Sequence, residues 1–161
     1  MRRFLLLLIL FACVAHSRAE ETQPIAVVVS SNAELDASKR MVAEDLSLIY
    51  WRKMQYWQGG VHIHPVNLHA EHPLRLRFSK KVLGNLPAEQ SNYWNGLYFH
   101  GTNPPYSVQS EEAVLRYVAT TKGAIGYVSA CSVDARVKVI FWIDDKGLST
   151  SAPEKLNCAT L

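Results

Sequence analysis

Five consecutive apolar residues, Ile25-Ala26-Val27-Val28-Val29, constrain the fold of this chain more than any other stretch. Pro24 bounds the run on one side and Ser30-Ser31-Asn32 on the other. A short, continuous apolar run between turn residues predicts a strand buried on both faces. Such a strand needs packed elements above and below it.

The neighbouring patterns supply those elements. Across residues 37–50, Met41, Val42, Leu46, Ile49 and Tyr50 recur at three- and four-residue spacings with charges between them, which predicts an amphipathic helix. Gln58-Gly59-Gly60 breaks the chain, and residues 61–66 alternate as a strand that Pro65 stops at or just beyond its own position. Pro73 suits the first turn of a helix whose face is Leu74, Phe78, Val82 and Leu83 and which ends at Gly84. Another helix is predicted from Pro87 to about Trp94. Beyond the turn-rich stretch 101–105, Ser110 reads as the N-cap of a helix running through Leu115 and Val118 to Lys122-Gly123. Residues 125–128 and 137–143 are predicted strands, and Asp144-Asp145-Lys146-Gly147 a turn. Strands alternating with helices indicate an α/β domain, a small mixed sheet flanked by helices. Ligands in such domains sit at strand carboxyl ends and helix amino ends.

The amino-terminal segment reads as a removable export signal occupying residues 1–19. Arg2 and Arg3 precede an apolar run from Phe4 to Val14, and Ser17-Arg18-Ala19 places small residues where a signal peptidase needs them. The run is about half the roughly 20 residues a membrane span requires. Leu10-Phe11-Ala12-Cys13 loosely resembles a bacterial lipobox, so anchoring through an acylated Cys13 stands as the alternative to a free periplasmic or secreted protein. Of the 17 basic residues, Arg2, Arg3 and Arg18 belong to this segment, which has no acidic residue; the 14 left balance the 14 acidic ones. The formal charge of +3 therefore belongs to the signal and implies no nucleic-acid partner. Residues 20–161 suffice for one domain, with a core over about 25–143 and a tail over 144–161, and hold no stretch long enough to span a membrane.

Once Cys13 is set aside, Cys131 and Cys158 form an even pair in an oxidising compartment. They read as a disulfide, with two free thiols as the alternative.

Three segments together resemble the second lobe of the phosphate-binding proteins of ABC transporters, members of the type II periplasmic binding protein superfamily. The first is Leu46-Ser47-Leu48-Ile49-Tyr50-Trp51-Arg52-Lys53 with Trp57 and Gly59-Gly60; the second is Ile63 and Pro65-Val66 leading to Arg75 and Phe78. The third, residues 110–128, ends in the most specific motif, Gly123-Ala124-Ile125-Gly126-Tyr127-Val128, similar to the family's Pro-Gly-Ala-Ile-Gly-Tyr-Val. The likeness covers roughly residues 25–143 but only part of the two-lobed family architecture, and is nearer to compact, single-domain receptor-like proteins of bacterial envelopes. It implies a binding protein rather than an enzyme, no cofactor, and phosphate or a related oxyanion as ligand. An ABC permease or another envelope protein is the implied partner.

The chain departs from the family at the anion loop. Where the family has Ser-Gly-Thr before an arginine, this sequence has His72-Pro73-Leu74 before Arg75. Pro73 has no N–H and Leu74 no hydroxyl. A weaker oxyanion site is expected from His72, Arg75 and the Leu74 and Arg75 backbone N–H groups, alongside Ser30 and Ser31 at the end of the first strand. The alternative is that Arg75 and Arg77 solvate a helix face, and that the chain is a ligand-free scaffold which kept the receptor fold.

Other residues invite further readings. His62, His64, His69 and His72 lie close together, yet only Glu71 among nearby residues is a carboxylate, so the reading assigns no metal. Trp51, Tyr56, Trp57, Tyr93, Trp94 and Tyr98 are an aromatic-rich set, read as core at Trp57 and Trp94, with a stacking platform for a sugar or nucleotide as the alternative. No Ser-His-Asp, Cys-His or paired-carboxylate constellation has a recognisable context, which argues against catalysis.

Overall fold

The structure is a computed structural model in which residues 23–34, 41–156 and 158 are described. The export-signal and Cys13 readings lie outside the described residues. Strand β1 (Ile25–Ser30) carries the apolar run, and none of its first five side chains is more than 1% exposed. It lies between β4 (Ala124–Ser129) and β5 (Val137–Asp144) and is antiparallel to both, so hydrogen bonding on its two edges is complete. With β2 (His64–Leu68), β3 (Tyr106–Val108) and β6 (Gly147–Ser149), the sheet has the order β3-β2-β4-β1-β5-β6. β2 is parallel to β3 and β4, so the sheet is mixed.

Helices cover both faces, as β1 demands. Gly126 and Tyr127 are neighbours on β4 and so face opposite sides of the sheet. A Cβ on Gly126 would meet Val114 and Val118 of α4 (Glu111–Thr120) at 2.6 and 3.0 Å, which places α4 on that side. On the other side the Tyr127 ring stacks on Phe78 with centroids 3.8 Å apart. Phe78 ends α2 (Pro73–Phe78), and Tyr50 ends α1 (Ala43–Tyr50) and meets Phe78 edge-on at 4.6 Å. The ends of the helices are satisfied locally. The Val42 backbone N–H donates to the Asp45 carboxylate at 3.0 Å, and Ser110 Oγ accepts from the Ala113 N–H at 3.2 Å, the N-cap role its sequence position indicates.

Several boundaries differ from the sequence pattern. β2 does not stop at Pro65 but continues to Leu68. Only residues Val66 to Leu68 pair with β3, so Pro65 lies where β2 has a partner on one side alone and its missing N–H costs nothing on the other. His62 falls outside the strand and forms an isolated bridge to Tyr56. The helix read over 73–83 is α2 followed by a π-helical turn, Ser79–Leu83, that ends at left-handed Gly84. The helix read from Pro87 is a 3-10 turn, Pro87–Gln90, leading into α3 (Ser91–Tyr98). β3 and β6 have three residues each, too few to display a period, and β6 brings part of the expected tail into the sheet.

Cys131, in a 3-10 turn after β4, is bonded to Cys158 with their Cα atoms 5.5 Å apart, which closes a loop across 27 positions. Replacing Cys158 with serine is expected to lower unfolding stability by about 2–4 kcal/mol, measured by denaturant titration under non-reducing conditions. Gly123 has φ +80°, and a Cβ there would lie 2.1 Å from the His62 carbonyl oxygen. Gly123→Ala is therefore expected to cost about 2–4 kcal/mol in the same assay, through backbone strain and displacement of the chain entering β2.

Candidate functional site

A polar group in an otherwise apolar layer marks the site. Arg75 lies on the inward side of α2 and is only 7% exposed, so it does not solvate a helix face. Its Nε and Nη1 are buried and have no hydrogen-bond partner, and none of the ion pairs among the described residues involves it. Burial pulls its pKa below the ordinary arginine value, while Tyr127 and Tyr50 act in the opposite direction. An arginine keeps its proton under all such conditions, so the site holds a positive charge without a counter-charge.

The groups around it are donors or neutral acceptors. Ser79, one helical turn beyond Arg75 and on the same helix side, is fully buried, and its Oγ also has no partner. The Tyr127 hydroxyl donates to Asn67 Oδ1 at 3.2 Å and accepts from the Leu68 N–H at 3.3 Å. The Tyr50 hydroxyl donates to the Val66 carbonyl at 3.2 Å, with the Ile125 carbonyl at 3.5 Å. Burial raises the pKa of both phenols, which keeps them protonated. No sequence pattern marks Tyr50, Asn67 or Tyr127 as site residues, and the spacing of four from Arg75 is the one signal for Ser79.

The other expected ligand groups divide. His72 is the N-cap of α2, and its Nδ1 accepts the Leu74 N–H at 3.2 Å, so one of the two expected backbone donors is already occupied. Arg77 reaches away and donates to the Gln23 carbonyl at 2.7 Å. Ser30 and Ser31 do not join this site. β1 runs antiparallel to β4, so its carboxyl end lies beside Ile125, whereas Arg75 follows the carboxyl end of β2 at the other end of the sheet. The grouping of the serines with Arg75 thus fails because strand direction, which the sequence pattern leaves open, is reversed at β1.

The four histidines separate for a similar reason. His62 and His64 pack at 4.7 Å before and at the start of β2, while His69 and His72 pack at 5.3 Å beyond its end. Among the described residues, no three histidine, cysteine or carboxylate side chains are placed to hold a metal. His72 has its pKa lowered by burial and by His69, against the opposing pull of Glu111; His64 has its pKa lowered by burial, His62 and Arg52. Both therefore bind protons less readily folded than unfolded. Their stabilising contribution is present above the unfolded histidine pKa of about 6.5 and is lost as pH falls through the lower folded values. Unfolding stability is expected to drop on acidification from about pH 7.5 to about pH 5, and His64→Gln and His72→Asn should each flatten that drop. His72→Asn retains an N-cap acceptor, so a change in slope without loss of the helix isolates the titration.

No family model matches the chain, and no curated protein matches it in sequence. Solved structures do match. One from Clostridium perfringens, described as a phosphate ABC transporter substrate-binding protein with bound phosphate, superposes with a TM-score of 0.58 at 21% identity, over 74% of this chain and 45% of its own. An ABC-type phosphate transport receptor from Vibrio cholerae gives 0.58 at 23% identity, over 73% and 45%. PstS from Borrelia burgdorferi gives 0.50 at 15%, over 69% and 43%. The chain thus spans less than half the length of each. Among the described residues no helix is long and apolar enough to cross a membrane. At these identities the likeness establishes architecture: this chain has an α/β fold like one lobe of the phosphate-binding periplasmic proteins.

Proposed function

We propose that the chain is an exported, phosphate-receptor-like binding protein that holds a small oxyanion at Arg75. The observation that carries this reading is the buried guanidinium whose Nε and Nη1 have no partner. An isolated buried charge costs several kcal/mol, and a bound anion is the direct way to offset it. Ser79 Oγ is a second unpartnered group on the same side of α2, available to the same ligand. Phosphate is the first candidate because the Clostridium perfringens structure of like fold contains it. Affinity is expected to be modest, since Pro73 has no N–H and the Leu74 N–H is occupied by His72. The disulfide supports an extracytoplasmic location, and an ABC permease or another envelope protein is the proposed partner.

The occupied Leu74 N–H favours a second reading, a scaffold domain that kept the receptor fold without its ligand. Thermal and denaturant unfolding with added phosphate or sulfate separates the two. Under the receptor reading, anion at about 100 times its dissociation constant adds about 2.7 kcal/mol. Arg75→Met is expected to abolish that gain while raising the stability of the anion-free protein by about 1–3 kcal/mol, because an apolar side chain replaces an unpaired buried charge. An anion response that persists in Arg75→Met places the site elsewhere, and no response in the parent protein at millimolar anion leaves the scaffold reading.

A further inference from the structure

A second cleft lies at the opposite end of the sheet from Arg75, where β1 ends and β2 and β4 begin. Its volume is about 600 Å3, within the range of about 300–1,000 Å3 typical of small-molecule sites. Its walls include Ser30 at the end of β1, Asn32 and Glu34 following it, Trp57 from the turn before β2, and Thr121 and Lys122 following α4.

Trp57 is fixed in this wall. Its backbone N–H donates to the Val61 carbonyl at 2.8 Å, its carbonyl accepts from the Gly60 N–H at 2.8 Å, and its Nε1–H donates to the Gly123 carbonyl at 2.9 Å. With its N–H occupied, the indole offers a ligand only its apolar, π-rich surface. The other aromatic groups pair elsewhere: Trp51 packs on Tyr93 and Trp94, and Tyr56 on His62. Around Trp57, the side chains of Asn32, Glu34, Thr121 and Lys122 make no hydrogen bond or ion pair with any described residue.

These groups define a ligand. Glu34 and Lys122 cancel in charge, so an anion drawn to one is repelled by the other, unlike the uncompensated charge at Arg75. A fitting molecule has no net charge, one apolar face for the indole, and groups at its edge that both donate and accept. A pyranose has this form, with C–H groups on one face and hydroxyls around the ring. We propose that this cleft binds a neutral sugar stacked on Trp57, with its hydroxyl or N-acetyl groups bonded to Asn32, Glu34, Thr121 and Lys122. The inference is independent of the Arg75 reading, because the length of β1 separates the two sites.

The test is an NMR titration of the purified protein that follows the Trp57 indole resonances. Oligomers of N-acetylglucosamine and of glucose form the two sugar arms, with triglycine and inorganic phosphate as controls. The expected result is saturable movement of the Trp57 signals with one sugar series, weakened about tenfold or more by Trp57→Ala and by Asn32→Ala. Asn32→Ala and Thr121→Ala alter surface-facing side chains and keep the test decisive should Trp57→Ala fail to fold. The proposal is overturned if neither sugar series moves Trp57 at tens of millimolar, if sugar binding survives Asn32→Ala and Thr121→Ala undiminished, or if triglycine or phosphate saturates the cleft instead.

Discussion

β1 is the constraint on which the remaining architecture depends. A strand with partners on both edges and helices on both faces has no surface left for water, so it carries no polar side chain before Ser30. Its antiparallel pairing with β4 and β5 joins the parallel β2-β3-β4 part of the sheet to the β5-β6 hairpin. The same pairing sends its carboxyl end away from the carboxyl ends of β2 and β4. The Arg75 cluster and the cleft beside Trp57 therefore lie at opposite ends of the sheet.

Between the sheet and α2 the layer is apolar except for one polar cluster. Tyr127 lies stacked on Phe78 while its hydroxyl connects Asn67 to the Leu68 backbone, so its ring serves packing and its oxygen serves hydrogen bonding. Tyr50 spans β2 and β4 through their carbonyls in the same way. The Tyr50 and Tyr127 hydroxyls and Asn67 Oδ1 have internal partners here, whereas Arg75 Nε and Nη1 and Ser79 Oγ have none.

The turn before α2 is closed by groups of the chain itself. Histidine at the N-cap meets the Leu74 N–H from within the chain, and proline at the first helical position has no N–H to offer. Both are good solutions for starting a helix and poor ones for holding an anion at its amino end. The Arg75 side chain, by contrast, is buried in the layer beneath the sheet with its Nε and Nη1 unpartnered.

Local patterns in the sequence determined the element types, because each reports on burial or backbone conformation within a few residues. The apolar run predicts β1, the three- and four-residue spacings predict the helices, Ser110 marks an N-cap, and Gly84 and Gly123 mark reversals with positive φ. The Cys131–Cys158 pairing was legible from the even count left once Cys13 is set aside. Short elements were not legible: β3 and β6 lack the length to show a period, and Pro65 looks like a stop until the one-sided pairing of β2 is known. Only the tertiary structure decided which residues share a site. Strand direction placed Ser30 far from Arg75 and beside Trp57, and packing of α2 under the sheet turned Arg75 from an apparent surface charge into a buried one. Those outcomes depend on contacts between residues dozens of positions apart, which no local period encodes.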